Sequence, residues 1–214
     1  MAADETPIDD WLLQGPTDAS EVAGTYDKWA ESYDADLATW SYQAPGVVAE
    51  TALTRLPDAG SILDVGCGTG MVGKALRAKA FEGQLLGLDI SRASLEIAEK
   101  TGVYDRLETA DLQRPLQVTE DSVNVLVCVG VMTYLPDVEA VWREFARVVR
   151  PGGLVIVTLR EDLWEPRECP AVIERLEAEG VWKALDITGP APYLPDATGG
   201  MAGQLAYYLT AQVS

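Results

Sequence analysis

The sequence of 214 residues contains no histidine, two phenylalanines and three cysteines. Without histidine, acid–base chemistry near neutral pH has to use carboxylates, tyrosine, cysteine, lysine or water. The cysteines, Cys67, Cys128 and Cys169, are far apart, form no CxxC pair and are odd in number. This spacing predicts reduced thiols in a cytoplasmic protein and favours neither disulfides nor a metal site.

Basic residues are also scarce, with 16 Lys and Arg against 34 Asp and Glu and a net charge of −18. Such a field repels a phosphate backbone, so nucleic acid is not an expected partner. No apolar run approaches the ~20 residues that span a bilayer. The acidic N-terminus lacks the pattern of a signal peptide, and no membrane association is expected. The oligomeric state stays open.

From residue 61 onward, short apolar runs alternate with amphipathic segments. Strands are predicted at 61–65, 84–89, near 107, and at 122–129, 154–159, 183–188 and 204–213. Helices are predicted between them at 71–79, 91–99, 138–149 and 170–179. Strands that alternate with helices require crossover connections, which predicts an α/β fold with a parallel sheet covered on both faces.

The N-terminal quarter has a different character. Residues 1–18 are polar, include Pro7, Gly15 and Pro16, and are expected to form a flexible arm. Residues 19–57 are expected to form a helical lid in which Tyr26, Trp29 and Tyr33 share one face. A single domain over 19–214 is predicted, with a cofactor-binding core at 58–160 and a substrate-side part at 161–214. An aromatic stripe of this kind is most often core packing, and that alternative stays open.

The segment ILDVGCGTG, residues 62–70, places three glycines directly after a strand. A bare turn between a strand and a helix leaves backbone groups open to a ligand. Gly68, Gly70 and Gly73 match the dinucleotide fingerprint, but the match starts two residues late, so a nicotinamide-dependent oxidoreductase is the less favoured alternative. Asp64 at the strand end suits a ligand with an ammonium group, although a structural hydrogen bond under the turn is an alternative.

Five segments resemble the ordered motifs of the class I S-adenosylmethionine (SAM)-dependent methyltransferases. In chain order they are DVGCGTG (64–70), LLGLDIS (85–91), TADLQ (109–113), VNVLVCVGVMTYLPD (123–137) and ARVVRPGGLVIVTL (146–159). The resemblance implies a Rossmann-like, doubly wound sheet of seven strands with an antiparallel C-terminal strand. It also implies SAM as the cofactor and S-adenosylhomocysteine as its product.

The same resemblance implies the site residues. A carboxylate at position 89 would bind both ribose hydroxyls, a strong and orienting contact. The full cofactor set is Tyr26, Tyr33, Asp64, Gly66, Cys67, Gly68, Gly70, Asp89, Ile90, Asp111, Leu112, Val129 and Gly130. The alternatives are a position beside a helix N-cap for Asp89 and a solvated acid in a loop for Asp111. The segment YDKWAESYDADL, residues 26–37, resembles the lid of the Williams–Beuren syndrome region methyltransferase-like subgroup.

The predicted reaction is in-line transfer of a methyl group to a small-molecule acceptor held above the strand ends, under the lid and residues 161–166. Tyr33 and Tyr134 are the candidate catalytic residues, and Asp34 and Glu161 are further candidates for a base. The alternatives are a SAM-binding subunit without catalysis and a protein that uses SAM for other chemistry. The acceptor atom, whether O, N, C or S, is not determined.

Overall fold

The computed structural model describes residues 7–214, and these form a seven-stranded sheet. The strands are β1 (Ser61–Val65), β2 (Gln84–Asp89), β3 (Arg106–Thr109), β4 (Val123–Cys128), β5 (Val149–Arg160), β6 (Trp182–Pro192) and β7 (Leu205–Val213). Their order is β3-β2-β1-β4-β5-β7-β6. Strands β1–β5 pair in parallel, whereas β7 runs antiparallel to both β5 and β6. The predicted Rossmann-like sheet with its antiparallel C-terminal strand is confirmed.

Four helices of the α/β part lie within two residues of their predicted ranges, whereas the helices at 8–14 and 161–164 were not predicted. They are α1 (Ile8–Gln14), α2 (Ala19–Thr39), α3 (Ala44–Arg55), α4 (Met71–Ala78), α5 (Arg92–Thr101), α6 (Val138–Val148), α7 (Glu161–Trp164) and α8 (Cys169–Ala178). The side chains of Asp18, Ser91 and Asp137 cap the N-termini of α2, α5 and α6. Within residues 7–214, no helix is both long and apolar enough to cross a membrane.

The sheet is buried on both faces. Along β4, Leu126 and Cys128 belong to one apolar cluster, and Val125 and Val127 belong to the other. The first cluster includes side chains of α6 and α8, and the second includes side chains of α1–α4. This alternation follows from the two-residue period of a strand, and it places helices on opposite faces.

The N-terminal arm requires a correction. Residues 8–14 form α1, in which Trp11 and Leu12 are buried, and residues 1–6 of the predicted arm lie outside the described part of the chain. The Trp11 indole donates to Glu21 at 2.9 Å. The guanidinium of Arg160 donates to the carbonyls of Leu12 and Leu13 at 2.5 and 3.0 Å. The contacts of Arg160 satisfy carbonyls of the last turn that have no partner within the helix, and together these contacts hold a helix that is too short to be stable alone.

Candidate active site

The glycine turn joins β1 to α4 in a left-handed backbone conformation. Gly66, Gly68 and Gly70 have φ values of 73°, 52° and 92°. A Cβ at Gly66 would lie 2.1 Å from the side chain of Val131, so packing there excludes any larger residue. A Cβ at Gly68 would meet nothing within 4 Å. Gly68 therefore presents bare backbone to open space.

That open space is a cavity of about 670 Å³, including its mouth, at the carboxyl ends of β1, β2 and β4. We call it the turn cavity. It is lined by Ala19, Val22, Tyr26, Tyr33, Gly66, Gly68, Asp89, Ile90, Ser94, Asp111, Leu112, Gln113, Val129, Gly130, Val131, Tyr134 and Leu135.

Two carboxylates enter the turn cavity from consecutive strand ends. Asp89 is 9% exposed and accepts hydrogen bonds from the backbone N–H groups of Gly68 (2.7 Å) and Ser91 (2.8 Å). Burial raises the pKa of Asp89, and these hydrogen bonds oppose the rise. Asp111 accepts from the backbone N–H of Gln113 at 3.0 Å and lies 3.3 Å from the Arg114 guanidinium. Both side chains are therefore fixed in orientation by neighbouring groups.

A second cavity of about 430 Å³, including its mouth, adjoins the first. We call it the aromatic cavity. It is lined by Leu12, Tyr26, Trp29, Tyr33, Leu37, Trp40, Tyr42, Gly130, Thr133, Tyr134, Arg160, Tyr193, Leu194 and Met201. Four of these residues also line the turn cavity, namely Tyr26, Tyr33, Gly130 and Tyr134. The two cavities therefore meet at this shared wall.

Hydrogen-bonded tyrosine pairs hold the walls of the aromatic cavity. The hydroxyl oxygens of Tyr26 and Tyr134 are 2.9 Å apart, and those of Tyr42 and Tyr193 are 2.8 Å apart. The lack of a side chain at Gly130 makes room for the second pair, because a Cβ there would lie 2.9 Å from the Tyr42 hydroxyl. Burial raises the pKa of each of these four tyrosines and of Tyr33. The phenols are therefore neutral near pH 7.

Comparison with known proteins identifies this arrangement. Residues 63–157 match a family model described as a methyltransferase domain. Methyltransferase-like protein 27 of Homo sapiens is 36% identical over 185 residues, which cover 80% of this chain and 72% of that protein. The chain belongs to the class I SAM-dependent methyltransferase family.

Solved structures share the fold at lower sequence identity. The complex between the Haloferax volcanii Trm112 methyltransferase activator and a methyltransferase matches with a TM-score of 0.67 and 19% identity, over 90% of this chain and 97% of that one. Geranyl diphosphate C-methyltransferase from Streptomyces coelicolor A3(2), solved with S-adenosylhomocysteine, matches with a TM-score of 0.62 and 15% identity, over 78% and 79%. The protein is a SAM-dependent methyltransferase, and its cofactor is SAM.

The turn cavity of this methyltransferase fits that cofactor. Gly68 offers a bare backbone cradle, and Asp89 and Asp111 offer acceptors for hydroxyl and amino groups. The structure brings to its wall Tyr26, Tyr33, Gly66, Gly68, Asp89, Ile90, Asp111, Leu112, Val129, Gly130 and Tyr134 from the predicted site residues. Gln113 also lines this cavity. It was not among the predicted site residues, although it directly follows Asp111 and Leu112. Its side chain donates to the Tyr134 carbonyl at 3.3 Å.

Asp64, Cys67 and Gly70 line neither cavity, and their contacts with the cofactor stay a prediction. Asp64 is fully buried beneath the turn, where it accepts a 2.6 Å hydrogen bond from the hydroxyl of Tyr104. Burial raises the pKa of Asp64 to about 7. These surroundings favour the alternative role for Asp64, a structural hydrogen bond under the turn.

Tyr104 also accounts for the offset dinucleotide fingerprint. Its ring fills the space beside Gly73, where a Cβ would lie 2.6 Å away, and its hydroxyl accepts from the Gly73 N–H at 3.2 Å. The packing of Tyr104 therefore explains why residue 73 is a glycine. The match to the dinucleotide fingerprint does not require a bound pyrophosphate. No local pattern indicates this role, because Tyr104 stands alone in a loop before β3.

The acidic candidates for a base lie elsewhere. Asp34 accepts a hydrogen bond from the Thr69 hydroxyl and forms a 2.5 Å ion pair with Lys74. It therefore ties α2 to the glycine turn. Glu161 is exposed at the start of α7, and residues 161–166 line neither cavity. The connection between β6 and β7 takes the predicted place of this segment, through Tyr193, Leu194 and Met201.

A second carboxylate of α2 fastens the lid on the other side of the turn cavity. Asp27 accepts hydrogen bonds from the Ser91 hydroxyl at 2.7 Å and from the backbone N–H of Ala93 at 3.1 Å. Asp27 and Asp34 are seven residues apart, which is two helical turns, so they lie on the same side of α2. The helix is thereby held across the site between α4 and α5.

Proposed function

We propose that this methyltransferase transfers the methyl group to a small-molecule acceptor bound in the aromatic cavity. The observation that carries the proposal is the shared wall of Tyr26, Tyr33, Gly130 and Tyr134 between the two cavities. An acceptor in the aromatic cavity would face the cofactor through this wall. The cavity is covered by α1 and α2, which suits a compact ligand better than a macromolecular chain.

In this proposal the residues of the turn cavity hold the cofactor. Asp89 accepts from the ribose hydroxyls, Asp111 and Leu112 hold the adenine, and the bare backbone of Gly68 allows close approach. When bound, SAM supplies an activated methyl group on a positively charged sulfur. The protein contributes position, which in well-oriented intramolecular reactions lowers barriers by roughly 7–11 kcal/mol.

Tyr33 and Tyr134 have positioning roles in the proposal. Both line both cavities, and their raised pKa values keep the phenols neutral. A neutral phenol does not remove a proton, but its ring and hydroxyl orient an acceptor and exclude water. We therefore assign the two residues to alignment of the acceptor with the methyl group.

The proposal includes a cytoplasmic protein that does not bind nucleic acid. Cys67, Cys128 and Cys169 are buried and unpaired, as expected in a reducing compartment. The net charge of −18 opposes association with a phosphate backbone.

A two-stage experiment tests the proposal. Calorimetry first measures SAM and S-adenosylhomocysteine binding to the wild-type protein and to Asp89→Asn. Methyl-labelled SAM is then incubated with a small-molecule extract, and separately with RNA and with protein from the same cells. Label in the small-molecule fraction, absent with Asp89→Asn, is expected. Label confined to a macromolecule would contradict the small-molecule acceptor, and SAM binding without any transfer would favour a non-catalytic role.

A further inference from the structure

The lining of the aromatic cavity is rich in aromatic rings and carries little charge. Its wall contains seven aromatic residues, Tyr26, Trp29, Tyr33, Trp40, Tyr42, Tyr134 and Tyr193. Arg160 is the one charged residue among the lining residues, and the carboxylate of Asp162 binds both its Nε (3.0 Å) and its Nη2 (2.6 Å). The wall therefore offers π faces and neutral hydroxyls, with no uncompensated charge.

The groups around the cavity also provide no base at neutral pH. The lining residues include no carboxylate, lysine or cysteine, and the sequence contains no histidine. In the turn cavity, the carboxylate of Asp89 is engaged by the N–H groups of Gly68 and Ser91. An acceptor whose nucleophilic atom must first lose a proton finds no partner in this wall.

Aromatic rings oriented edge to face add an attraction for positive charge. The ring centroids of Trp29 and Tyr33 are 4.7 Å apart with an interplanar angle of 77°, and those of Tyr42 and Tyr193 are 5.2 Å apart at 81°. In a pair of this geometry, the ring that presents its edge keeps both faces free of its partner, and the negative face of a ring attracts cations. The net charge of −18 acts in the same direction at longer range.

From this combination we infer that the acceptor is a flat heteroaromatic amine, methylated on a neutral ring nitrogen to give a cationic product. The inference rests on the proposed function and specifies the acceptor of the same site. Its ring would lie against the aromatic wall, and its nitrogen would face the shared wall with Tyr33 and Tyr134.

The step balances without a base or any further reactant. The nitrogen lone pair forms the new bond to the methyl carbon, and the carbon–sulfur bond breaks with its electron pair returning to sulfur. Positive charge moves from sulfur to nitrogen, and no proton is released. The aromatic wall is suited to both ends of this change, because it accommodates the neutral acceptor and attracts the cation that forms.

Binding measurements test the charge preference without turnover. Tryptophan fluorescence of the full chain, saturated with S-adenosylhomocysteine, is titrated with N-methylisoquinolinium and with 2-methylnaphthalene, which has the same shape but no charge. The cation is expected to bind at least tenfold more tightly. Tyr42→Leu should weaken cation binding about fivefold with little change for the neutral probe, whereas Tyr42→Phe, which keeps the ring, should bind both as the wild type does.

Turnover with a matched pair of acceptors completes the test. Isoquinoline, with a ring nitrogen, is expected to yield N-methylisoquinolinium, and 2-naphthol, which must lose a proton, is expected to yield no ether. Equal binding of the two probes, failure of both to bind, or methylation of 2-naphthol alone would overturn the acceptor class. The proposed function fails separately, if SAM does not bind or if label reaches only macromolecules.

Discussion

The two adjoining cavities are built in opposite ways. The turn cavity uses strand ends that follow one another along the chain, and its ligand-facing groups are backbone and carboxylates such as Gly68 and Asp89. The aromatic cavity collects Leu12, Tyr42 and Tyr193 from remote segments. The first arrangement suits a single cofactor, because its donors and acceptors are fixed by the sheet. The second leaves the acceptor to be selected by side chains.

Removing the charge of Asp89 should affect ligand binding in the turn cavity much more than ligand binding in the aromatic cavity, and this is the largest effect that we expect. We expect Asp89→Asn to raise the Kd of SAM about 100-fold, because hydrogen bonds to charged groups contribute about 1.5–3 kcal/mol each. Calorimetry measures the effect. The cation probe, which addresses the aromatic cavity, should bind this variant within about twofold of the wild type.

Asp111→Asn provides the matched control at the next strand end. Its carboxylate is already shared with Arg114, so we expect only about a fivefold rise in the Kd of SAM. Equal losses in Asp89→Asn and Asp111→Asn would show that the ribose contact does not dominate cofactor binding.

The same contrast explains what the sequence predicts. Strands β1, β2 and β4 and the residues at their ends follow from local apolar runs and from one turn, so most of the turn cavity could be predicted. The aromatic cavity could not, because its walls depend on how α1, α2 and the β6–β7 connection pack over the sheet. Apolar residues within a polar stretch, among them the buried Trp11 and Leu12, were the local sign that α1 packs against the rest of the protein.

Asp64 shows the limit of prediction by motif within the turn itself. The motif places a carboxylate at the end of β1, but local sequence does not tell whether it faces the ligand or the core. The answer depends on Tyr104, forty residues away, whose ring fills the space under the turn. Long-range packing therefore decides the role even of a residue inside a well-marked motif.

The buried carboxylate of Asp64 predicts a pH dependence of stability. Its pKa is about 7 in the folded protein and about 3.9 when unfolded, so the unfolded state binds fewer protons between these values. The contribution of this group to the free energy of unfolding is fully present below pH 3.9 and is lost as the pH rises through 7. The loss between pH 5.5 and 8 is about 2 kcal/mol.

Asp64→Asn removes this titration and should gain stability relative to the wild type as the pH rises. Urea unfolding at pH 5.5 and 8 measures the free energy of unfolding of the variant and of the wild type. We expect the difference between them to change by about 2 kcal/mol in favour of the variant from pH 5.5 to pH 8. Asp105→Asn is the control, since Asp105 also accepts from protein groups but is half-exposed. A constant difference for Asp64→Asn would mean that the carboxyl titrates alike in both states.

Tyr134→Phe addresses the wall between the two cavities. It removes the hydroxyl bound to Tyr26 and keeps the ring, so we expect kcat/KM for the acceptor to fall about tenfold, equivalent to about 1.4 kcal/mol. The Kd of SAM should change by less than about twofold. Tyr207→Phe, whose ring stacks on Trp164 outside both cavities, should be neutral. A pH profile of kcat/KM that is steeper in Tyr134→Phe than in the wild type would instead assign proton transfer to this phenol.

The smallest effect is expected at the lid, which covers both cavities. In Asp34→Asn, the Thr69 hydroxyl keeps an acceptor, but the ion pair with Lys74 is lost. Both partners are about two-fifths exposed, so solvent screening limits the loss to less than about 1 kcal/mol. Stopped-flow fluorescence should show SAM dissociating about threefold faster, whereas Asp36→Asn, the same charge change facing Trp29, should leave the rate unchanged. Equal acceleration in both variants would mean that overall helix charge, and not the tie to the glycine turn, holds the lid over the site.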